Sequence, residues 1–399
     1  MKKYLTLIAA ATLMAACSNE ADQTEKQAEG LPIAVTVDEG SFTRAPGEVW
    51  KASQLAEKGF GLFASYTGQM LYENTSVSPD FMYNQKVVGE PGGDSDGYSW
   101  VYNPVKYWPN PLSPEDNNTY DQYVTFFAYA PYEENPVDDG KHTIIAMSDR
   151  YDMGDPWINF RLPKDPRGEG GQTDLMYGVK HIKYNSEGGI ADDLFYNETR
   201  PTYYSRLNFF FRHALACIGD KITIRLSDEL DEYIHGNAAS TTGYAEYADI
   251  IFRGLTINYE NLTTKARLVL NSPSGPNWKE IISGELTTSR SIHFSPFEQE
   301  LSAEPFVISE GQGLFYIPMK VKGTDYPYAD ISITYTVVNN NGTTYNGTAS
   351  TRLYLDLNLE GEKEGIALIL GKDLDLLHLT YPIDGTKRAT EPSYSRELK

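Results

Sequence analysis

Leu31-Pro32-Ile33-Ala34-Val35-Thr36-Val37 places an apolar side chain at every second position, so Leu31, Ile33, Val35 and Val37 share one face. A period of two is that of a strand buried on one side. Pro32 has no N–H to give to a ladder, which predicts a sheet edge or the start of a strand. The stretch that follows, Asp38 to Gly47, is rich in turn formers and carries the dipeptide Arg44-Ala45 in what reads as an exposed connection. A short helix is expected over Ala52 to Lys58. Alternation then returns in Gly59 to Tyr66 and in Tyr123 to Ala130. Gly89 to Gly97, Pro109 to Asp121 and Pro163 to Gly171 read as long surface loops.

Beyond the polar, Pro-marked stretch Thr199 to Thr202, short alternating runs recur. They cover Arg206 to Cys217, Lys221 to Leu226, Leu255 to Tyr259, Ala266 to Leu270, Ser291 to Phe294, Gly313 to Pro318, Ile331 to Val338, Thr351 to Leu357 and Gly365 to Leu370. Ser227 to Tyr233 reads as a brief helix with Ser227 as its N-cap and acids in the first turn. Short strands and turns in this rhythm predict an all-β chain of sandwich type with short helical insertions. Its 399 residues favour two domains, and 29 Tyr with 16 Phe give ample surface to bury. A net charge of −21 disfavours nucleic acid as a partner, since phosphates need cations.

The N-terminus pairs Lys2 and Lys3 with an apolar run from Tyr4 to Ala16, the layout of an export signal and too short to remain as a membrane span. The junction Leu13-Met14-Ala15-Ala16-Cys17 is similar to a bacterial lipobox, in which the Cys is acylated and becomes the new N-terminus. A plain secretory peptide with an incidental Cys is the competing reading. Acyl chains on Cys17 would contribute about 0.8 kcal/mol per buried methylene to membrane attachment. Ser18 to Gly30 reads as a polar tether.

Catalytic patterns are hard to find. The six His residues, at positions 142, 181, 213, 235, 293 and 378, form no zinc-hydrolase spacing, and His213 reads as a sheet-face residue. No nucleophile elbow or phosphate loop occurs, and Asp94-Ser95-Asp96-Gly97 lacks the glutamate that closes a calcium loop. No cofactor or metal is called for. The aromatic turn Tyr102 to Pro109 has two readings, a sugar-stacking platform or a loop pinned onto the sandwich by its own rings.

One combination stands out. Cleavage between Arg44 and Ala45 would free the leading strand. Four apolar side chains at about 1.5–3 kcal/mol each would then vacate a groove worth on the order of 6–12 kcal/mol. Such a groove beside an unpaired edge invites another strand, and head-to-tail repetition of that exchange builds a filament.

An ordered set of segments carries a resemblance that spans most of the exported chain. These are Phe42-Thr43-Arg44-Ala45, Phe60 to Ala64, Phe81 to Val87, Pro104 to Pro109, Val124 to Tyr132, Asp174 to Gly178 and Phe211 to Ala216. Together they resemble the fimbrillin-like (Mfa-like) lipoproteins of type V pili. The resemblance implies two transthyretin-like β-sandwich domains in tandem, outer-membrane export through lipid on Cys17, and cleavage after Arg44 by an arginine-specific protease. It further implies strand complementation with other pilus subunits at the cell surface. The corresponding layout is a signal peptide at 1–16, a lipidated tether and removable strand at 17–44, sandwich domains at 45–205 and 206–383, and a polar tail at 384–399. In the family's shaft subunits a C-terminal segment supplies the inserted strand, which maps within Gly365 to Ile383. Shaft, tip and anchor positions all stay open, as does the adhesive ligand, for which a host or bacterial surface glycan or protein is a candidate. Two other readings remain: a non-polymerising lipoprotein that binds glycan through Trp100 to Trp108 or anchors the pilus, and, lowest ranked, a glycosidase.

Overall fold

The structure, a computed structural model, describes residues 30–38, 52–92, 97–110, 120–165, 171–183, 190–202, 205–236, 247–281, 286–358 and 363–383. The lipidation and cleavage positions Cys17, Arg44 and Ala45 lie outside the described residues, as does the tail from Asp384.

The chain begins with strand β1 (Ala34–Val37) and helix α1 (Ala52–Lys58). Eight strands follow: β2 (Phe60–Gly68), β3 (Met82–Pro91), β4 (Tyr98–Val101), β5 (Tyr123–Ala130), β6 (Ile144–Met147), β7 (Trp157–Arg161), β8 (Met176–Lys183) and β9 (Ile190–Asp193). Then come β10 (Phe195–Glu198), β11 (Arg206–His213), β12 (Ala216–Leu226), helix α2 (Asp228–His235) and β13 (Tyr247–Thr263). Next are β14 (Lys265–Val269), β15 (Asn277–Glu280), β16 (Thr287–Phe294), β17 (Gln299–Glu300) and β18 (Phe306–Glu310). The last are β19 (Leu314–Tyr316), β20 (Tyr328–Asn339), β21 (Thr344–Tyr354), β22 (Lys363–Leu370) and β23 (Leu376–Pro382).

The expected all-β architecture with two short helical insertions is what forms. In α1, Leu55 and Ala56 face inward. Gly59, at φ +77°, stops the helix by giving its N–H to the Leu55 carbonyl, a left-handed conformation that suits glycine. In α2 the Ser227 hydroxyl accepts from the Leu230 N–H, and Asp228, Glu229 and Asp231 occupy the positive end of the helix dipole.

A nine-stranded sheet runs β1-β11-β8-β5-β2-β3-β4, with β10 on β5 and β9 on β8. It curls until its end strands β1 and β4 meet, enclosing a core that includes Phe60, Trp100, Phe126, Phe209 and Phe211. The outer face of this sheet packs Phe63, Phe127, Tyr129 and Tyr177 against a second core with Ile158, Phe160 and Leu268. Those last residues come from a four-stranded sheet, β15-β14-β7-β6, drawn from both halves of the chain. The remaining two sheets, β18-β12-β22-β23 with β19 and β16-β13-β20-β21 with β17, face each other across a third core. That arrangement is a sandwich with interdigitating inner faces.

Two boundaries differ from the sequence expectation. The polar, Pro-marked stretch before Arg206 predicts a second domain from Arg206, but β11 pairs with β1 and β8 in the nine-stranded sheet. Its Leu207, Phe209 and Phe211 do share a face, as their spacing predicts, and that face closes the first core. The chain crosses over only at Ala214 and Leu215, after which β12 enters the second sandwich. In addition, Gly89 to Pro91 end β3 and pair with Tyr98 to Trp100 of β4, so the loop expected from Gly89 is shorter than its glycines suggest.

Candidate functional site

Strand β1 lies parallel to β11, with Val35 opposite Leu207 and Val37 opposite Phe209. Residues in register on neighbouring strands point to the same face, so all four side chains enter one core. Ile33, Val35 and Val37 are only 1%, 3% and 3% exposed, and Leu31 packs against the same cluster. Ala34 and Thr36 face the other way, as the alternation requires.

The other flank of the leading segment is formed by residues 102 to 108. The Ile33 N–H donates to the Lys106 carbonyl at 2.9 Å, and the Trp108 N–H donates to the Leu31 carbonyl at 2.9 Å. Pro32 sits opposite Tyr107 in this bridge, and neither bond needs the N–H that proline lacks. The Tyr102 hydroxyl donates to the Ile33 carbonyl at 2.7 Å, and burial pushes its pKa up to about 12. On the β11 side, Asp38 closes the strand by donating its N–H to the Phe209 carbonyl at 2.8 Å.

The walls are aromatic. Trp108 meets Phe126 edge-on at 5.7 Å, Trp100 lies 5.7 Å from Phe60, and Phe60 meets Phe211 edge-on at 5.1 Å. Gly178 makes room for the floor, since a Cβ there would come within 2.8 Å of the Phe209 ring. The result is a slot whose polar contacts go to the backbone of its occupant and whose pockets take alternate apolar side chains. This is the recognition logic of β-strand addition, in which main-chain bonds hold and side-chain pockets select.

Trp100 and Trp108 are 7% and 5% exposed, so these two rings pack inward, whereas Tyr107 of the same turn stays 52% exposed. His213 sits at the end of β11 with its Nδ1 2.6 Å from Asp174, an ion-pair position at a strand end. Cys217 is buried on β12, and burial raises its thiol pKa far above neutrality, so it is held as the unreactive thiol. His235, Asp249 and Glu300 bring one potential ligand atom each within 4.8 Å of one another. The Nδ1 of His235 faces Asp231 at 2.8 Å and its Nε2 lies 3.6 Å from Asp249, a polar cluster at the surface.

Sequence reasoning located the occupant of the slot from its alternation but not the slot. Tyr102, Lys106 and Trp108 are brought to β1 by a turn some seventy residues downstream, and no local period marks that approach.

No family model matches the chain. In sequence it is similar to the fimbrium subunit Fim1C of Phocaeicola vulgatus, at 31% identity over 167 residues. That stretch is 40% of this chain and 38% of the relative, so the match spans well under half of either. The relative is a fimbrium subunit, which agrees with the resemblance read from the sequence. Among solved structures, a candidate cell adhesion protein of Bacteroides uniformis superposes with a TM-score of 0.40 at 13% identity, covering 89% of this chain and 98% of that one. Another candidate cell adhesion protein, from Parabacteroides distasonis, gives 0.40 at 9% identity over 89% and 98%.

Proposed function

We propose that this chain is a non-enzymatic subunit of a type V pilus, exported as an outer-membrane lipoprotein through Cys17 and activated by cleavage after Arg44. In this reading the departure of the leading strand opens the slot in the first of two sandwich-built units, which divide near Ala214. A strand from a neighbouring subunit then fills it. The observation that carries the proposal is the seating of the leading segment, with Ile33, Val35 and Val37 almost wholly buried and β1 laddered, among the described residues, to β11 alone. A short edge strand can leave without dismantling the strands behind it. The fimbrium-subunit relative supports the same reading, as does the position of Arg44 seven residues past the end of β1.

The donor in this scheme lies within Gly365 to Ile383. Ile366, Leu368 and Leu370 of β22 alternate into the core as Ile33, Val35 and Val37 do. In β23, Tyr381 packs with Ile383 and Leu379 away from the sandwich core. Each of the two rows thus offers alternate apolar side chains of the kind the slot takes, and β23, at the end of its sheet, has one ladder neighbour where β22 has two.

N-terminal mass spectrometry of surface filaments tests the proposal. The mature subunit is expected to begin at Ala45, and Arg44→Ala is expected to keep the protein out of filaments. Full-length chain, still acylated on Cys17, inside intact filaments would overturn it.

A further inference from the structure

Away from the β1 slot, a cleft of about 440 Å³ opens between four chain segments that the nine-stranded and mixed sheets bring together. Tyr72, Glu73, Asn74 and Thr75 line one side, Tyr196 and Asn197 another, and Asp155 with Asn271 the floor. The Asp155 carboxylate is fixed by three donors. Its Oδ1 accepts from the Tyr72 hydroxyl at 2.9 Å, and its Oδ2 accepts from the Asn74 and Asn271 amides at 3.2 and 2.7 Å. Asn271 is held in turn by Asn277 at 2.6 Å, and the Asn197 Oδ1 accepts from the Tyr72 backbone N–H at 2.6 Å.

A break in strand pairing aims the second wall. Phe195 pairs with Phe126 and Glu198 with Val124, so β10 carries one more residue than β5 across this interval. The extra residue is a bulge, a device that redirects side chains and recurs beside functional sites. Here it falls at Tyr196 and Asn197, and Asn197 adopts the left-handed region at φ +53°. The Tyr196 ring stacks on Tyr72 at 5.4 Å and 18° and remains 37% exposed.

We infer that this cleft is a binding site for a neutral saccharide. A sugar ring offers hydroxyls that both donate and accept, together with an apolar C–H face. The cleft offers the matching set: a remaining acceptor position on Asp155, the Asn197 amide and the Asn74 carbonyl on its walls, and the Tyr196 ring. Charge narrows the class. Asp155 and Glu73 line the cleft and no Lys or Arg does, which repels phosphorylated, sialylated and uronic sugars. A metal ion is also disfavoured, because the Tyr72 hydroxyl and the two amides direct their hydrogens at the carboxylate a cation would need. Leu71 and Met153, 63% and 70% exposed, stand one and two residues from lining positions and supply apolar surface for a longer glycan. The site shares no residue with the slot that holds β1, so it stands whether or not the chain exchanges strands.

Saturation-transfer NMR on the full chain tests this with methyl glucoside, methyl galactoside, methyl mannoside, N-acetylglucosamine, lactose, 3′-sialyllactose and an oligolysine peptide as probes. At least one neutral probe is expected to bind saturably below ~10 mM, and sialyllactose more weakly than lactose. Tyr196→Ala is expected to weaken that binding roughly ten-fold and Asn74→Ala several-fold, while Tyr196→Phe, which keeps the ring, retains it. Tyr107→Ala, beside the β1 slot, leaves binding as it is. The inference is overturned if no neutral probe binds, if binding survives both alanine variants of the cleft, if sialyllactose binds more tightly than lactose, or if oligolysine is the preferred ligand.

Discussion

β1 and β22 use the same pairing with opposite consequences. Among the described residues they form the two parallel pairings of the molecule, β1 on β11 and β22 on β12, and those partners are consecutive strands on either side of the crossover. Counting Ile33 just before β1, each sends three alternating aliphatic side chains into a core. β1 has four residues and one ladder partner, whereas β22 has eight residues and lies between β12 and β23. The start of β22 is also held by a buried ion pair, Lys363 Nζ to Asp220 at 3.5 Å, with side chains 8% and 6% exposed. Parallel neighbours are never joined by a tight turn, so neither strand is tied to its partner by a hairpin. Burial of side chains is thus shared by the two strands, and ease of removal is set by the count of backbone neighbours.

The largest expected effect comes from removing the weaker strand. A chain starting at Ala45 should lose on the order of 6–12 kcal/mol, bind a hydrophobic dye, and regain its thermal midpoint when a synthetic peptide of residues 30–38 is added. An unchanged midpoint without peptide would show that β1 carries little of the first core. Next, Leu368→Ala should cost about 2–5 kcal/mol in urea unfolding, with a smaller loss for Val35→Ala. Hydrogen exchange sharpens the contrast, since amides of β1 should open below the global unfolding energy and those of β22 only with it. Equal protection of the two strands would break the comparison.

The smallest effects are in pH dependence, and two groups act with opposite sign. Burial raises the Asp220 pKa above its ordinary 3.8 despite Lys363. Its folded form therefore prefers the proton, and its stabilising contribution is full below 3.8 and falls as pH rises through the raised value. Asp220→Asn should flatten that limb of a stability profile. His378 on β23 has its pKa lowered from 6.5 by burial, with its Nδ1 2.9 Å from the Thr351 hydroxyl. Its contribution is full above 6.5 and is lost as pH falls through the lowered value, so acid should loosen β23 before β22. His378→Gln should remove that difference in amide exchange.

Where one residue period governed a segment, the sequence was enough. The inward face of β1, the extent of β5, both short helices and the Ser227 cap were all legible. Bulges defeated the reading elsewhere. Strand β13 runs from Tyr247 to Thr263, but register shifts between Tyr247 and Asp249 and between Phe252 and Gly254 scramble its alternation, leaving only Leu255 to Tyr259 recognisable. The row Leu377, Leu379, Tyr381 was visible as a pattern, yet alternation alone does not say which face is the core. The cleft had no local signal at all, because Tyr72, Asp155, Tyr196 and Asn271 meet only after four segments fold onto one another.

The mixed sheet adds a mechanical property. β7 and β14 are laced together from Arg161 opposite Lys265 to Trp157 opposite Val269, so strands contributed by opposite halves of the polypeptide share one ladder. Tension directed along those strands loads every rung at once instead of peeling them in turn. A tug on one half should therefore reach the other through this ladder without stretching the chain between them.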